Sequence, residues 1–411
     1  MSFTRFNGAW FALVFITLLA TAILNFQVDP YSLFGSARRS GFNAKKPQAS
    51  SYTPLVKAHQ IERVLPATVL LGTSRVDIGL DPAHAAWPAT ARPVYNYGLP
   101  EASILTLRQQ LQHALRAGPV QAAVVGLEFQ DFLRGTIDPA RQPDGVEQRF
   151  VALSDPGSTL GRAKQRALDM AASTLTLNAL LDSVATLSLQ RAKDAGDVTD
   201  QGLTSELPYA ELVRRDGHHG LFLQKDLGIV RARQQASRRF SGAAQTGFVE
   251  MAYLRALIDF CRAQNIELRL FIPPYHAHYL EIVDATGLWE RFENWKVALL
   301  DLVEEYRRTP GSRVSLWDFA SYDESSTEAV PPSSDRKTSM QWFWEPVHFK
   351  KSLGDIILSR MLASDNRDFG VELTRHSIDA RLASGRQQRL AYRQRLPAEA
   401  KGIINLVHSV K

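Results

Sequence analysis

The sequence predicts an α/β protein: a parallel sheet covered by helices on both faces, carried behind one membrane-spanning helix. Three observations predict it. Gly8 to Leu24 runs without a charge behind Arg5. Downstream, short apolar runs ended by turn residues alternate with longer segments of helical period, the pattern of strands joined by crossover helices. That alternation is broken once, between about Asp131 and Ala244, by polar loops around helical stretches such as Ala163 to Leu189.

The apolar segment of 17 residues sits at the lower limit for a spanning helix and just above the usual secretory core. Ala20-Thr21-Ala22 imitates a cleavage site, but it lies inside an apolar run that continues to Phe26. Residues 1–26 therefore read as an uncleaved, single-pass anchor. Arg38, Arg39, Lys45 and Lys46 follow it while only Arg5 precedes it, so the positive-inside rule alone would keep the body cytoplasmic. The chemistry argued below places the body outside.

Residues 27–51, with scattered Gly, Pro and Ser, read as an irregular tether. The α/β domain is assigned to 52–130 and 245–365, around an inserted, mainly helical unit at 131–244. Thr68 to Leu71, Pro93 to Tyr97, Val120 to Leu127, Ile266 to Ile272 and Val314 to Phe319 are the expected strands. Glu101 to Ala117, Gly247 to Gln264 and Gly287 to Arg307 are expected helices between them, with a final helix from Ser352. His218-His219, beside Gly217 and Gly220, reads as a solvated turn.

The net charge of +6 is concentrated in the basic tail, 366–411. From His376 onward it holds seven Lys/Arg against Asp379 and Glu399. With little aromatic interleaving and no nucleic-acid-binding motif upstream, the tail reads as a solvated surface helix, and no nucleic-acid partner is expected. The single Cys261 excludes a disulfide framework and a multi-cysteine metal site.

In open parallel sheets reactive groups collect at the carboxyl ends of strands. After the first strand stands Gly72-Thr73-Ser74-Arg75, with Ser74 as candidate nucleophile. Serine needs a base, and the base needs an orienting acid. Glu345-Pro346-Val347-His348 supplies both within one turn. After the second strand, Asn96-Tyr97-Gly98 offers a glycine amide for an oxyanion hole. Ile272 to Tyr279 adds Tyr275, His276, His278 and Tyr279 past the fourth strand; histidines at i and i+2 do not share a helix face, so a pocket-lining loop is preferred to a metal site. The plain structural alternatives are a capping serine at 74 and a core histidine at 348 among Trp342, Phe343, Trp344 and Phe349. Glu128 and Asp131 read equally as surface acids or as groups that position Arg75.

These blocks resemble the SGNH (GDSL-like) hydrolases, in particular the membrane-anchored branch related to periplasmic alginate O-acetylation proteins and to the D-alanine transfer protein of teichoic acid synthesis. The resemblance rests on GTSR at Ser74, NYG at Gly98, GLEFQDF after the third strand, Glu345-x-x-His348, and Val28-Asp29-Pro30-Tyr31 after the apolar helix. It implies a three-layer, flavodoxin-like sheet and an extracytoplasmic acyl, in particular acetyl, transferase or esterase acting on a carbohydrate polymer. Ser74, His348 and Glu345 would form the triad, and the Ser74 and Gly98 amides the oxyanion hole. Arg75, Asn96, Tyr275, His276 and His278 would contact substrate. No cofactor or metal is called for. The implied partners are a glycan acceptor and a membrane-bound acyltransferase. Two departures stand out: the family's third block carries an asparagine where this chain reads Gly126-Leu127-Glu128, and the acid is glutamate where aspartate is usual. The alternative reading is a catalytically silent SGNH-like module that binds polysaccharide or scaffolds a membrane assembly.

Overall fold

A computed structural model describes residues 3–134, 145–155, 157–240, 247–363 and 367–410. The sequence-derived boundaries at 244–245 and 365–366 lie outside the described residues. Helix α1 (Phe3–Val28) is 26 residues long. At 1.5 Å per residue it reaches about 39 Å, more than the roughly 30 Å of bilayer hydrocarbon. It is long and apolar enough to cross a membrane, and the body buries almost none of it before Asn25.

The segment after α1 is not a loose tether. The Asp29 carboxylate accepts the amides of Leu33, at 2.7 Å, and Ser36, at 3.1 Å. The buried Lys46 ammonium donates to the Val28 and Asp29 carbonyls, which close the end of α1. These buried contacts tie the carboxyl end of α1 to the body.

There follow α2 (Thr53–Val64), β1 (Thr68–Leu71), α3 (Ser74–Gly79), β2 (Val94–Asn96), α4 (Ile104–Ala117) and β3 (Ala122–Gly126). The insertion contributes α5 (Gly145–Ser154), α6 (Thr159–Leu175), α7 (Leu177–Ser188) and α8 (Leu207–Phe240). The chain then resumes with α9 (Met251–Ala263), β4 (Glu267–Ile272), α10 (Ala277–Ala285), α11 (Trp289–Arg307) and β5 (Val314–Asp318). A two-stranded hairpin, β6 (Phe343–Glu345) and β7 (His348–Phe349), precedes α12 (Lys351–Leu362), β8 (Val371–Glu372), α13 (Ile378–Arg395) and α14 (Pro397–Ser409).

The sheet runs β2-β1-β3-β4-β5-β8, with the first five strands parallel and β8 antiparallel at the edge. Side chains alternate across a strand, and the core divides accordingly. Val69, Leu71, Ala123, Val125, Leu268 and Leu270 face one helical layer, whereas Leu70, Val124 and Phe271 face the other. The order reverses direction between β1 and β3, which opens a crevice at their carboxyl ends.

Local chemistry trims the expected elements. Helix α4 starts at Ile104, because the Ser103 hydroxyl caps the Thr106 amide. The helical stretch from 163 to 189 breaks at Thr176, whose hydroxyl accepts the Ala179 amide and starts α7 at a 58° bend. The basic tail differs most from expectation: α13 lies on the body, with Arg381 paired to Asp318, Arg386 to Glu293, Arg389 to Asp284 and Arg393 to Glu281. Its positive charge answers acids of the α/β unit.

One close crossing brings the end of the chain to β1. A Cβ on Gly354 would stand 1.7 Å from the Gly79 carbonyl oxygen, and one on Gly79 would stand 2.3 Å from Phe349. Only glycines let α12 press against α3. Gly354→Ala should therefore cost about 1–3 kcal/mol through overpacking and lower the thermal midpoint in detergent. Gly385→Ala in α13, where a Cβ meets nothing within 4 Å, should leave it unchanged or raise it, since alanine favours helix by about 1 kcal/mol.

Candidate active site

Strand β1 ends in Gly72, where a Cβ would lie 2.4 Å from Val76. The missing side chain allows an abrupt turn from strand into helix. Ser74 is the first residue of α3, half-buried at the sheet's switch point. The β6–β7 hairpin approaches from the opposite end of the sequence and carries Glu345 and His348 as paired residues. Ser74 Oγ donates to His348 Nε2 at 2.7 Å. His348 Nδ1 in turn donates to Glu345 Oε1, and the Val347 amide donates to Glu345 Oε2 at 3.1 Å. Burial pushes the Glu345 carboxyl up, but His348, Lys225 and the Val347 amide outweigh it and hold the group below the ordinary carboxylate range. A charged acid therefore fixes the imidazole with Nε2 free to accept the serine proton.

Arg75 holds this arrangement from behind. Its Nε donates to the Val347 carbonyl, its guanidinium pairs with Glu128, and it lies 4.5 Å above the Tyr275 ring centre. Glu128, just past β3, also accepts the Thr73 hydroxyl at 3.0 Å and the Tyr275 hydroxyl at 3.2 Å. One buried carboxylate thereby joins the ends of β1 and β3 to the arginine that grips the histidine segment.

Several residues expected to meet substrate are instead buried supports. Gly98 cannot lend its amide, because that N–H donates to Asn96 Oδ1 at 3.0 Å. Its glycine is required for packing: a Cβ would stand 2.5 Å from the Asp77 amide nitrogen. Asn96 is fully buried and donates to the Val76 and Leu80 carbonyls at 2.7 and 2.8 Å, bracing α3. Tyr275 and Tyr279 stack on each other at 4.2 Å inside the core, offering no face to a sugar. His276 is buried with both ring nitrogens engaged, one on the Glu328 carbonyl and one on the His278 amide, and burial pushes its pKa down to about 3. His278 sits between Asp226, at 2.8 Å, and Glu399 of α14, at 3.1 Å. Arg75, Asn96, Tyr275, His276 and His278 therefore position the fold. Among the described residues no cluster of His, Cys, Asp or Glu fits a metal ion.

Sequence reasoning missed three contributors. The Lys57 ammonium of α2 is buried beneath the site and donates to Asp77 Oδ1 at 2.5 Å and the Gly98 carbonyl at 2.8 Å. His218 is not solvated; it donates to the Trp344 carbonyl and accepts the Met340 amide, and burial lowers its pKa to about 4. Tyr209 lays its ring 5.1 Å from that of His348. The last two come from the insertion, whose sequence carries no family pattern that marks them.

Two measurements test these supports. Lys57→Met leaves Asp77 buried without its cation and should cost about 3–5 kcal/mol of stability, with Lys57→Met/Asp77→Asn losing less than the single variant. For His278, burial lowers the pKa but the hydrogen bonds it donates to Asp226 and Glu399 outweigh it, raising the group from 6.5 to about 9. A raised folded pKa means stability that is fully present below pH 6.5 and is lost as pH climbs through 9. The thermal midpoint should fall across that window, and His278→Gln should flatten the fall.

The chain matches no known family model and no curated protein.

Proposed function

We propose that this protein is an extracytoplasmic acyltransferase or esterase of SGNH type, acting on a carbohydrate polymer. The observation that carries the reading is the relay from Ser74 Oγ through His348 to the buried Glu345, placed at the carboxyl end of β1 where the sheet order reverses. In this mechanism Ser74 Oγ attacks the acyl carbon while His348 Nε2 takes its proton. The imidazolium, steadied by Glu345, then returns the proton to the departing oxygen and leaves an acyl ester on Ser74. The acceptor hydroxyl repeats the sequence in reverse.

The oxyanion binding is sparse. The Ser74 amide, in the first turn of α3, has no acceptor within its helix and is the donor this reading assigns to the oxyanion. Gly98 is engaged, and the asparagine of the family's third block is replaced by Glu128, a carboxylate. Each missing donor costs about 2.7–4 kcal/mol in transition-state binding, so attack by free water is slow. A bound sugar hydroxyl recovers rate through proximity and orientation, which favours transfer over hydrolysis. The acyl donor would be supplied by a membrane-bound acyltransferase on the same face.

This reading puts the body outside the cytoplasmic membrane. The basic residues that argue otherwise have a structural reason to be there: Arg38 pairs with Asp197 and Asp200, and Lys46 closes α1. The same poverty of oxyanion donors favours a second reading, a silent module that binds polysaccharide or scaffolds an assembly.

A fluorophosphonate probe separates the two. Labelling of the wild type and not of Ser74→Ala supports an enzyme, and no labelling of either supports the silent module. For acyl transfer, Ser74→Ala and His348→Ala should each abolish turnover, their combination should lose little more, and Glu345→Gln should lose less than either. Decay of the acyl-enzyme should accelerate when an oligosaccharide acceptor is added; equal decay in water alone overturns the transfer assignment.

A further inference from the structure

Helices α6 and α7 are built inside out. A helix on a soluble body turns apolar residues inward and polar ones to water. Here the buried residues of α6 are Asp169 and Ser173, and those of α7 are Ala179, Ser183 and Thr186. The outward faces carry leucines: Leu168, Leu175, Leu177 and Leu181 are each more than half exposed, as is Val184. At 100° per residue, Leu168 and Leu175 fall 20° apart around α6, and Leu177, Leu181 and Val184 lie within about 60° on α7. These are continuous stripes on both sides of the bend at Thr176.

The bent pair is packed on the end of α1. Asn25 of α1, which is fully buried, donates to the Thr174 carbonyl at 2.9 Å and accepts the Ser183 hydroxyl at 2.8 Å. Small and polar residues forming a hydrogen-bonded seam between helices that face outward with leucine is the arrangement used within bilayers. The seam lies at the point where the uncharged run of α1 ends. At 17 and 12 residues, neither α6 nor α7 reaches the roughly 20 residues needed to cross. Charge follows the same plan. Arg162, Lys164 and Arg166 stand in the first half of α6, and Arg191 and Lys193 follow α7, while no Lys or Arg lies between Arg166 and Arg191.

We infer that the bent α6–α7 pair is a second membrane contact, whose elbow at Leu175–Leu177 dips into the outer part of the same bilayer that α1 crosses and whose basic ends meet anionic headgroups. The occupant of the apolar face is lipid. The inference rests on α1 spanning the membrane, and the test separates the two.

The full-length protein, whose native Cys261 is buried, is labelled with an environment-sensitive NBD fluorophore at Leu175→Cys, Leu181→Cys, Ile16→Cys or Leu390→Cys. All four positions are exposed. Each sample is reconstituted into phosphatidylethanolamine/phosphatidylglycerol liposomes. Expected are blue-shifted emission at 175 and 181 with strong quenching by lipids doxyl-labelled near the headgroup, and aqueous emission at 390. Ile16 should also be blue-shifted and be quenched best by deeply labelled lipids. An aqueous signal at 175 and 181 with Ile16 buried overturns the α6–α7 proposal alone; an aqueous signal at Ile16 overturns the span beneath it. Aqueous emission at 175 and 181 in liposomes that becomes apolar only in native membranes also overturns it, in favour of a membrane protein partner.

Discussion

The site depends on one buried charge pair that takes no part in its chemistry. Asp77 lies one turn behind the nucleophile on α3, and Lys57 reaches it from α2 with no access to water. The same ammonium donates to the Gly98 carbonyl, and Asp77 also accepts the Thr204 hydroxyl at 2.5 Å. Burying two ions costs several kcal/mol each, repaid only by good geometry and by further hydrogen bonds on every remaining lone pair and proton. Here those partners come from α2, α3, the turn after β2 and the insertion. A shift of any one of them leaves a charge uncompensated, so the network specifies where Ser74 stands more than it adds net stability.

Close approach supplies what the charge pair cannot. Ser74 and His348 are 274 positions apart, and their meeting needs α12 and the β6–β7 hairpin to descend onto α3 at the Gly79–Gly354 crossing. The hairpin is then held from three sides. Arg75 grips the Val347 carbonyl, His218 spans Met340 and Trp344, and Glu206 accepts both the Trp344 indole N–H and the Lys351 amide. Two of these three grips come from the insertion, so a segment outside the sheet helps to hold the Ser74–His348–Glu345 arrangement.

The sheet was legible because a parallel strand buried on both faces is predominantly apolar, and TVLL, VQAAVVGL and IELRLFI are so apart from Thr68, Gln121, Glu267 and Arg269. Ser74 was legible because it follows directly on the first such strand, whereas Glu345-x-x-His348, in a hairpin outside the parallel sheet, was legible from its acid-x-x-His spacing. The supports were not. Asn96, Tyr275, His276 and His278 have the side chains of substrate-binding residues, and only tertiary packing decides whether such groups face a crevice or satisfy each other in the core. The basic tail failed to read for a related reason: Glu281, Asp284, Glu293 and Asp318, the acids that answer it, are distributed over three elements distant in sequence.

A last constraint ties the site to the anchor. On α2, Lys57 and His59 are two residues apart, and at 100° per residue they point to opposite sides of the helix. Lys57 holds the nucleophile helix, while His59 Nε2 meets Asp169 of α6 at 2.9 Å. Helix α6 is bound to Asn25 of α1, and Asp29 with Lys46 locks the exit from α1. The links from α1 to Ser74 therefore run through hydrogen bonds and ion pairs at buried or half-buried positions. Under the proposed acyl transfer at a membrane, the α1–α6–α2–α3 contacts would hold Ser74 at a set height and angle.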